Sequence, residues 1–196
     1  MLITSLEYRV YSIPLREPFK IALREIRETE VVVVRLATDA GVYGYGEAAP
    51  EPCVTGETLG TVTAALEYLA PLLEGADPFA IERAHRLMDA ALTGNTAAKC
   101  AIDLALYDLM GKAAGMPVWR LLGGADPRVQ SDMTVGIADP AHMAASARRY
   151  VEDEGFRIIK MKVGIDPVSD ARAVAAVSEA ISGRAALRVD ANQGYT

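Results

Sequence analysis

Two copies of one short unit constrain the fold of this chain more than any other feature of its sequence. Each copy is an apolar, β-branched segment followed by an Asp-Pro pair and a helical pattern, and the pairs are Asp139-Pro140 and Asp166-Pro167. Asp accepts hydrogen bonds from the free N–H groups of a first helical turn, and Pro fits the first helical position. The sequence therefore predicts alternating elements: strands over residues 133–137, 157–163 and 186–192, and helices over residues 140–154 and 167–182.

Strands that alternate with helices predict a parallel sheet with right-handed crossovers. An open sheet of three strands is one possibility. A closed (β/α)8 TIM-type barrel begins in the same way, but it needs roughly 250 residues. We predict that residues 126–196 form the start of such a barrel, with only its first three strands visible.

A different pattern fills residues 1–125. Segments rich in β-branched and aromatic residues predict an antiparallel sheet with strands over residues 3–14, 30–38 and 42–48. Apolar residues at helical spacing then predict three helices, over residues 61–73, 80–92 and 97–115. The predicted fold is an α+β capping domain followed by an incomplete (β/α)8 TIM-type barrel.

Two segments of the predicted capping domain bear on function. Residues 15–29 mix Pro, charges and isolated apolar groups, and we expect a long loop there that acts as a lid. A loose match to a glycine-rich phosphate-binding fingerprint is formed by Gly41, Gly44 and Gly46. They follow a hairpin and no helix opens behind them, so we discard that match.

Charge, apolar runs and cysteine spacing limit the kinds of partner and the compartment that the sequence predicts. The 196 residues carry a net charge of −6 with acids and bases interspersed, whereas a nucleic-acid footprint needs clustered Lys and Arg. The sequence does not open on a basic region with an apolar core, and no apolar run approaches the ~20 residues that span a bilayer. Cys53 and Cys100 lack CxxC spacing, so free thiols are expected. We predict a cytoplasmic protein with a small-molecule partner and no nucleic-acid or membrane partner.

Charged residues alternate on the second and third predicted barrel strands. Strand periodicity puts Lys160 and Lys162 on one face, and it puts Asp190 and Asn192 on the same face of the next strand. Taken singly, a Lys near a strand end is usually solvated and an Asp before Asn-Gln-Gly is usually a turn residue. Together they predict a site at the C-terminal end of the barrel strands, where such barrels hold their active sites. A lysine beside a second cation can act as a base near neutral pH, and we assign that role to Lys162.

These residues also carry a resemblance. Residues 160–164, KMKVG, resemble the KxKVG strand of the muconate-lactonizing and dipeptide-epimerase group of the enolase superfamily, and residues 189–192, VDAN, resemble its metal-binding strand. The resemblance extends over the whole chain, including the GYGEAAP segment and the helix that leads to MPVWRLLGG. It identifies the chain as the N-terminal part of such an enzyme, with two later metal ligands and an opposing lysine on strands beyond Thr196.

The resemblance implies a chemistry and a cofactor. The group's enzymes abstract a proton α to a carboxylate and hold the resulting enediolate with Mg²⁺. Lys162 would be the base, Lys160 would supply positive charge, and Asp190 would be the first of three acidic metal ligands. Asn192 would lie beside the metal ligands. The resemblance also implies a homo-oligomer.

The resemblance further implies a small-molecule carboxylate substrate, either a dipeptide or an N-acyl amino acid. The dipeptide epimerases, which act on a dipeptide such as L-Ala-D/L-Glu, look most similar. Arg24 in the lid and Thr134 on the first barrel strand fall where substrate contacts of that group would lie. Muconate cycloisomerase, o-succinylbenzoate synthase and N-acylamino acid racemase remain alternatives within the superfamily. An alternative of another class is a non-catalytic fragment or binding module.

Overall fold

A computed structural model of the chain describes residues 1–195. By packing, these residues form two units. The first contains residues 1–13 and 29–127, and the second contains residues 14–28 together with the chain from Arg128 onward. Residues 14–28, which include most of the predicted lid, therefore pack with the barrel residues.

The first sheet contains β1 (Ile3–Lys20), β2 (Glu25–Thr38) and β3 (Tyr43–Ala48) in that order. β2 pairs antiparallel with β3, as the sequence predicts. The expected long loop over residues 15–29 is wrong, because β1 continues to Lys20 and β2 already begins at Glu25. The Ile21 N–H donates to the Arg24 carbonyl at 2.9 Å, so a tight turn joins two extended arms. The Pro and charged residues of this segment predicted a loop, because it lacks the apolar alternation of a half-buried strand. An extended arm can carry polar side chains on both faces.

The helices that follow this sheet are α1 (Leu59–Leu73), α2 (Ile81–Ala91), α3 (Thr96–Ala114) and the short α4 (Val118–Leu121). Residues of α1, α2 and α3 share one buried core with the sheet. The three long helices are confirmed, and only α4 was not predicted. The Thr58 side chain caps α1 by accepting from the Thr61 N–H, and the Thr61 side chain accepts from the Thr58 N–H in return. Ile102, Leu106 and Leu109 of α3 are fully buried in the core. Burial of this apolar stripe, more than helix propensity, fixes the helix on the sheet.

Two glycines of β3 let α3 approach the sheet closely. A Cβ added at Gly44 would lie 2.1 Å from the Ala105 carbonyl oxygen, and one added at Gly46 would lie 1.8 Å from that of Ala101. Backbone therefore packs on backbone here, a contact only glycine permits. Gly44 and Gly46 therefore serve the packing of α3 on the sheet.

The start of α3 is held by a carboxylate from outside the helix. Glu57 is buried, and its carboxylate accepts from the Ala97 N–H at 2.9 Å and from the Thr96 hydroxyl at 3.1 Å. Asn95, at the N-cap position, makes no side-chain cap bond. Glu57 therefore performs the capping task for the longest helix of the first unit.

We expect Glu57→Ala to lower the free energy of unfolding by about 1–2 kcal/mol, because free N–H groups at the start of α3 lose their acceptor. Urea unfolding followed by circular dichroism measures this change. Glu74→Ala is the control, since Glu74 is exposed in the same unit and is expected to change the midpoint little. Equal midpoints for the two variants would contradict the capping role.

The second unit contains β4 (Met133–Val135), α5 (Pro140–Glu152), β5 (Ile158–Lys162), α6 (Pro167–Ile181) and β6 (Ala186–Asp190). The strands are parallel in the order β4-β5-β6, as expected for the start of a barrel. Both helix starts are confirmed: Asp139 accepts from the N–H groups of Ala141 and His142, and Asp166 accepts from that of Ser169. No helix within residues 1–195 combines the length and apolar character needed to cross a bilayer.

Candidate active site

The parallel sheet of the second unit has an apolar face and a charged face. Val135, Ile159 and Met161 lie in a buried cluster with residues of α5 and α6. Their neighbours along the strands, Lys160 and Lys162, face away from the helices because successive side chains alternate. The strand register sets Lys162 beside Asp190. The predicted alternation therefore places the charged groups on one face.

Both lysines reach the same carboxylate oxygen. The Lys162 Nζ lies 2.8 Å and the Lys160 Nζ 2.9 Å from the Asp190 Oδ2. Lys162 also donates to the Asn192 Oδ1 at 2.7 Å. The structure thus brings together all four of the site residues predicted on these two strands.

Burial differs between the two lysines. The Lys162 side chain is 10% exposed, whereas that of Lys160 is 32% exposed. An ammonium group is costly to bury without a partner, so the carboxylate and amide oxygens around Lys162 compensate for its burial. Lys162 is therefore the less solvated of the two lysines and the one most enclosed by the site.

The positive groups in turn act on the carboxylate. Hydrogen bonds from Lys162, then from Lys160 and from the Asn192 N–H, hold the pKa of Asp190 well below its ordinary value. Asp190 is therefore ionised throughout the neutral range. An ionised carboxylate at the end of a barrel strand can accept from a lysine or serve as an oxygen ligand to a hard cation.

The donor set meets only part of what Mg²⁺ requires. The ion takes six oxygen ligands, commonly one or two carboxylates with waters and substrate oxygens. Asp190 is an ionised oxygen donor of the right kind, and its Oδ1 accepts from the Asn192 N–H at 3.0 Å. Within residues 1–195, no group of three or more His, Cys, Asp or Glu residues is arranged to hold a metal ion. The described residues therefore offer one ionised oxygen donor at this place and not a complete metal site.

The hairpin turn at the tip of β1 and β2 lies against the loops that follow the barrel strands. The Ile137 N–H, just after β4, donates to the Lys20 carbonyl at 2.8 Å. Ala22 packs against glycines after the next two strands, since a Cβ added at Gly164 or Gly194 would lie 3.1 Å or 2.7 Å from the Ala22 Cβ. Residues 14–28 are thus a lid seated on the strand ends, even though they are not the loop that the sequence predicts.

Arg24 and Thr134, the two predicted substrate contacts, occupy different parts of this arrangement. Arg24 is half-buried in the turn of the lid, two residues after Ala22. Thr134 is aligned with Lys160 in the strand register and lines a cavity of about 80 Å³ with Phe19 of the lid. Both therefore belong to the unit that carries the lysines.

Sequence reasoning missed the glycines that receive the lid. Gly136, Gly164 and Gly194 follow β4, β5 and β6 in turn, and each lies within van der Waals reach of Phe19, Lys20 or Ala22. The signal was present, because a glycine lies at or just after the C-terminal end of each of the three predicted strands. The role of these glycines could not be inferred from the sequence, because the sequence does not show that the lid turn crosses the strand ends.

Two descriptions of known protein families match the chain. Residues 5–123 match "Mandelate racemase / muconate lactonizing enzyme, N-terminal domain", and residues 142–196 match "Enolase C-terminal domain-like". The matches follow the order of the two units along the chain. They confirm the resemblance and the fold class predicted from the sequence.

Similar curated proteins are epimerases of different substrates. The chain is 41% identical to the hydrophobic dipeptide epimerase of Enterococcus faecalis, 40% to the D-Ala-D/L-Ala epimerase of Cytophaga hutchinsonii and 36% to the L-Ala-D/L-Glu epimerase of Bacillus subtilis. Each alignment covers 100% of this chain and, respectively, 55%, 53% and 54% of the relative. The chain therefore spans about half the length of these relatives.

Solved structures of the same relatives superimpose closely. The Enterococcus faecalis dipeptide epimerase, complexed with Mg and the dipeptide L-Leu-L-Tyr, gives a TM-score of 0.97 over 100% of this chain and 55% of that chain. The substrate-liganded L-Ala-D/L-Glu epimerase of Bacillus subtilis gives 0.94 over 99% of this chain and 54% of that chain, at 36% identity. Backbone similarity at this level extends through both units.

Proposed function

Because this chain belongs to the mandelate racemase / muconate lactonizing enzyme family of the enolase superfamily, we propose that the protein is an isomerase that epimerises or racemises a carbon α to a carboxylate. One observation carries the proposal: two lysines from one strand meet the carboxylate of the neighbouring strand at the C-terminal end of a parallel sheet. A buried lysine and a half-buried one on the same carboxylate suit proton transfer better than structural pairing, since a structural ion pair needs only one lysine.

Each residue of the proposed site has a role. Lys162, in its neutral form, takes the proton from one face of the α-carbon, and the opposing lysine expected on a later strand would deliver a proton to the other face, which inverts the centre. Lys160 contributes positive charge toward the substrate carboxylate. Asp190 and Asn192 hold Lys162 in place between turnovers. We propose Asp190 as one oxygen ligand of Mg²⁺. A bound Mg²⁺ would supply electrostatic stabilisation of the charge that builds on the substrate carboxylate.

The proposed substrate is a dipeptide, with L-Ala-D/L-Glu as the first candidate. Arg24 lies half-buried in the lid that covers the strand ends, and a guanidinium group can bind a side-chain carboxylate through two hydrogen bonds. A hydrophobic dipeptide is the second candidate. It is favoured by the apolar neighbours of Arg24 in the lid turn, Ile21, Ala22 and Leu23.

Isotope exchange tests the activity and distinguishes the two substrates. The full polypeptide containing this chain is incubated with Mg²⁺ in D₂O, and loss of the α-proton signal is followed by NMR for L-Ala-L-Glu and L-Leu-L-Tyr. We expect exchange of at least one dipeptide. No exchange of any dipeptide or N-acyl amino acid would favour a non-catalytic binding module and contradict the proposal.

Replacing Arg24 by Met tests the assignment of the acidic substrate. We expect kcat/KM for L-Ala-L-Glu to fall roughly 10- to 100-fold, because a charged hydrogen bond of about 1.5–3 kcal/mol is lost. The value for L-Leu-L-Tyr should stay within about threefold, since that dipeptide has no side-chain carboxylate. Arg27→Met is the matched control, because the Arg27 side chain is 75% exposed and pairs with Glu25. Equal losses for the two dipeptides would indicate that Arg24 only supports the lid.

A further inference from the structure

Asp170 is a buried carboxylate that the proposed mechanism does not use. It lies in the first turns of α6 and is 8% exposed. Its Oδ2 accepts from the Gly164 N–H at 2.9 Å, from the Ile165 N–H at 3.2 Å and from the Tyr195 hydroxyl at 2.6 Å. This one oxygen atom thus accepts three hydrogen bonds, all from residues outside α6.

These three donors belong to two different loops. Gly164 and Ile165 follow β5, which ends at Lys162, and Tyr195 follows β6, which ends at Asp190. The loops touch directly, since a Cβ added at Gly164 would lie 2.5 Å from the Ala191 carbonyl oxygen. The Val163 N–H also donates to the Asp190 carbonyl at 3.0 Å. The carboxylate of Asp170 therefore ties together the segments that carry the lysine and the aspartate of the site.

The arrangement favours an ionised carboxylate. Burial alone would raise the pKa of Asp170, but the hydrogen bonds from Tyr195, Gly164 and Ile165 outweigh it and lower the pKa. An ionised carboxylate only accepts, so all three donors can point at it at once. An amide in its place would offer one oxygen acceptor and an NH₂ group that has to find acceptors of its own.

We propose that Asp170 is a positioning residue of the active site, whose carboxylate holds the loops after β5 and β6 at the spacing that keeps Lys162 against Asp190. The catalytic part of this inference rests on the proposed function, while the tie between the loops does not. Asp170 acts through the backbone of the two loops and not on the substrate. A displacement of about 1 Å at a reacting group can lower the rate roughly 100-fold, so such a tie has a measurable effect.

Asp170→Asn and Tyr195→Phe test the proposal in the full polypeptide. We expect Asp170→Asn to lower kcat for α-proton exchange roughly 10- to 100-fold with KM within about threefold, because geometry at the base is lost while substrate contacts remain. Tyr195→Phe removes one of the three donors and should give a smaller loss. The two effects should be less than additive in the double variant, since both substitutions break the same contact.

Asp166→Asn is the matched control. It makes the same chemical change at the N-cap of the same helix, where Asn caps about as well as Asp. We expect unchanged kcat and unchanged loop protection in this variant. Equal losses of kcat in Asp166→Asn and Asp170→Asn would show that only the helix start matters, and they would overturn the proposal.

Amide hydrogen exchange provides a measurement that does not depend on activity. In Asp170→Asn, peptides covering residues 163–165 and 191–195 should exchange several-fold faster than in the wild type, in both loops together. If Asp170→Asn does not fold, Tyr195→Phe gives the same comparison. If the wild type exchanges no substrate, the proposed function fails while loop protection still decides whether Asp170 ties the loops. Unchanged protection in both loops, or an unchanged kcat in a variant whose loops are loosened, would overturn the proposal.

Discussion

Gly46→Ala is expected to destabilise the chain by about 3 kcal/mol or more, which is a large fraction of the stability of a typical domain. The new Cβ would lie 1.8 Å from the Ala101 carbonyl oxygen and 2.8 Å from its carbonyl carbon. Both are backbone atoms of α3, so no change of side-chain rotamer can relieve the overlap. Either β3 or α3 has to move, and the buried stripe of α3 then loses contacts with the sheet.

Gly60→Ala is the matched control for this substitution. Gly60 is exposed within α1, and its added Cβ would find only the Thr58 hydroxyl oxygen, at 3.9 Å. Ala is favoured over Gly in a helix by about 1 kcal/mol, so this variant should be as stable as the wild type or more stable. Urea unfolding measures both variants. A midpoint for Gly46→Ala equal to that of the wild type would show that the close approach of β3 and α3 is unimportant.

Local signals in the sequence predicted most of the framework. The Asp-Pro pairs at residues 139–140 and 166–167 specified both barrel helices, because N-caps act within a single turn. Ile102, Leu106 and Leu109 predicted the buried face of α3, since helical periodicity is also a local property. In these places the information lies within a few residues of the structure that it determines.

The lid and the Asp170 contacts could not be predicted in the same way. Residues 15–20 and 25–29 read as a loop, and their extended form depends on a turn and on partners far along the chain, such as Ile137. The contact between Tyr195 and Asp170 joins residues that are 25 positions apart, one in the loop after β6 and the other in α6. Long-range contacts of this kind leave no periodic signal in a single sequence.

The candidate site could be predicted from the sequence only in part. Alternation along a strand predicted that Lys160 and Lys162 share a face, and the order of strands placed Asp190 beside them. The sequence could not show that both lysines converge on one oxygen, because this depends on strand register and side-chain rotamers. It also could not show that Asn192 contacts Lys162 directly, at 2.7 Å.

Lys162→Ala is expected to lower the rate of α-proton exchange roughly 10²- to 10⁴-fold, the range associated with loss of a general base. The Lys162 side chain is 10% exposed and is held by the oxygens of Asp190 and Asn192. A water molecule in the space that it leaves would be a much weaker base than an amine. Lys160→Ala should cost less, because this lysine contributes charge and does not transfer the proton. Thermal unfolding of each variant shows whether the loss is one of chemistry or of folding.

Lys112→Ala is the matched control for this substitution. Lys112 also pairs with an aspartate, with its Nζ 2.6 Å from the Asp108 Oδ2, but it lies on α3 in the first unit. Its removal takes away a lysine from an ion pair without touching the barrel strands. The exchange rate of this variant should therefore equal that of the wild type.

The most direct test follows the α-proton of a dipeptide by NMR in D₂O with the full polypeptide and Mg²⁺, comparing the wild type, Lys162→Ala and Lys112→Ala. If Lys162 is the base, the wild type and Lys112→Ala exchange the α-proton at the same rate, and folded Lys162→Ala exchanges it at least roughly 100-fold more slowly. Exchange by folded Lys162→Ala at the wild-type rate would contradict the assignment of Lys162 as the base.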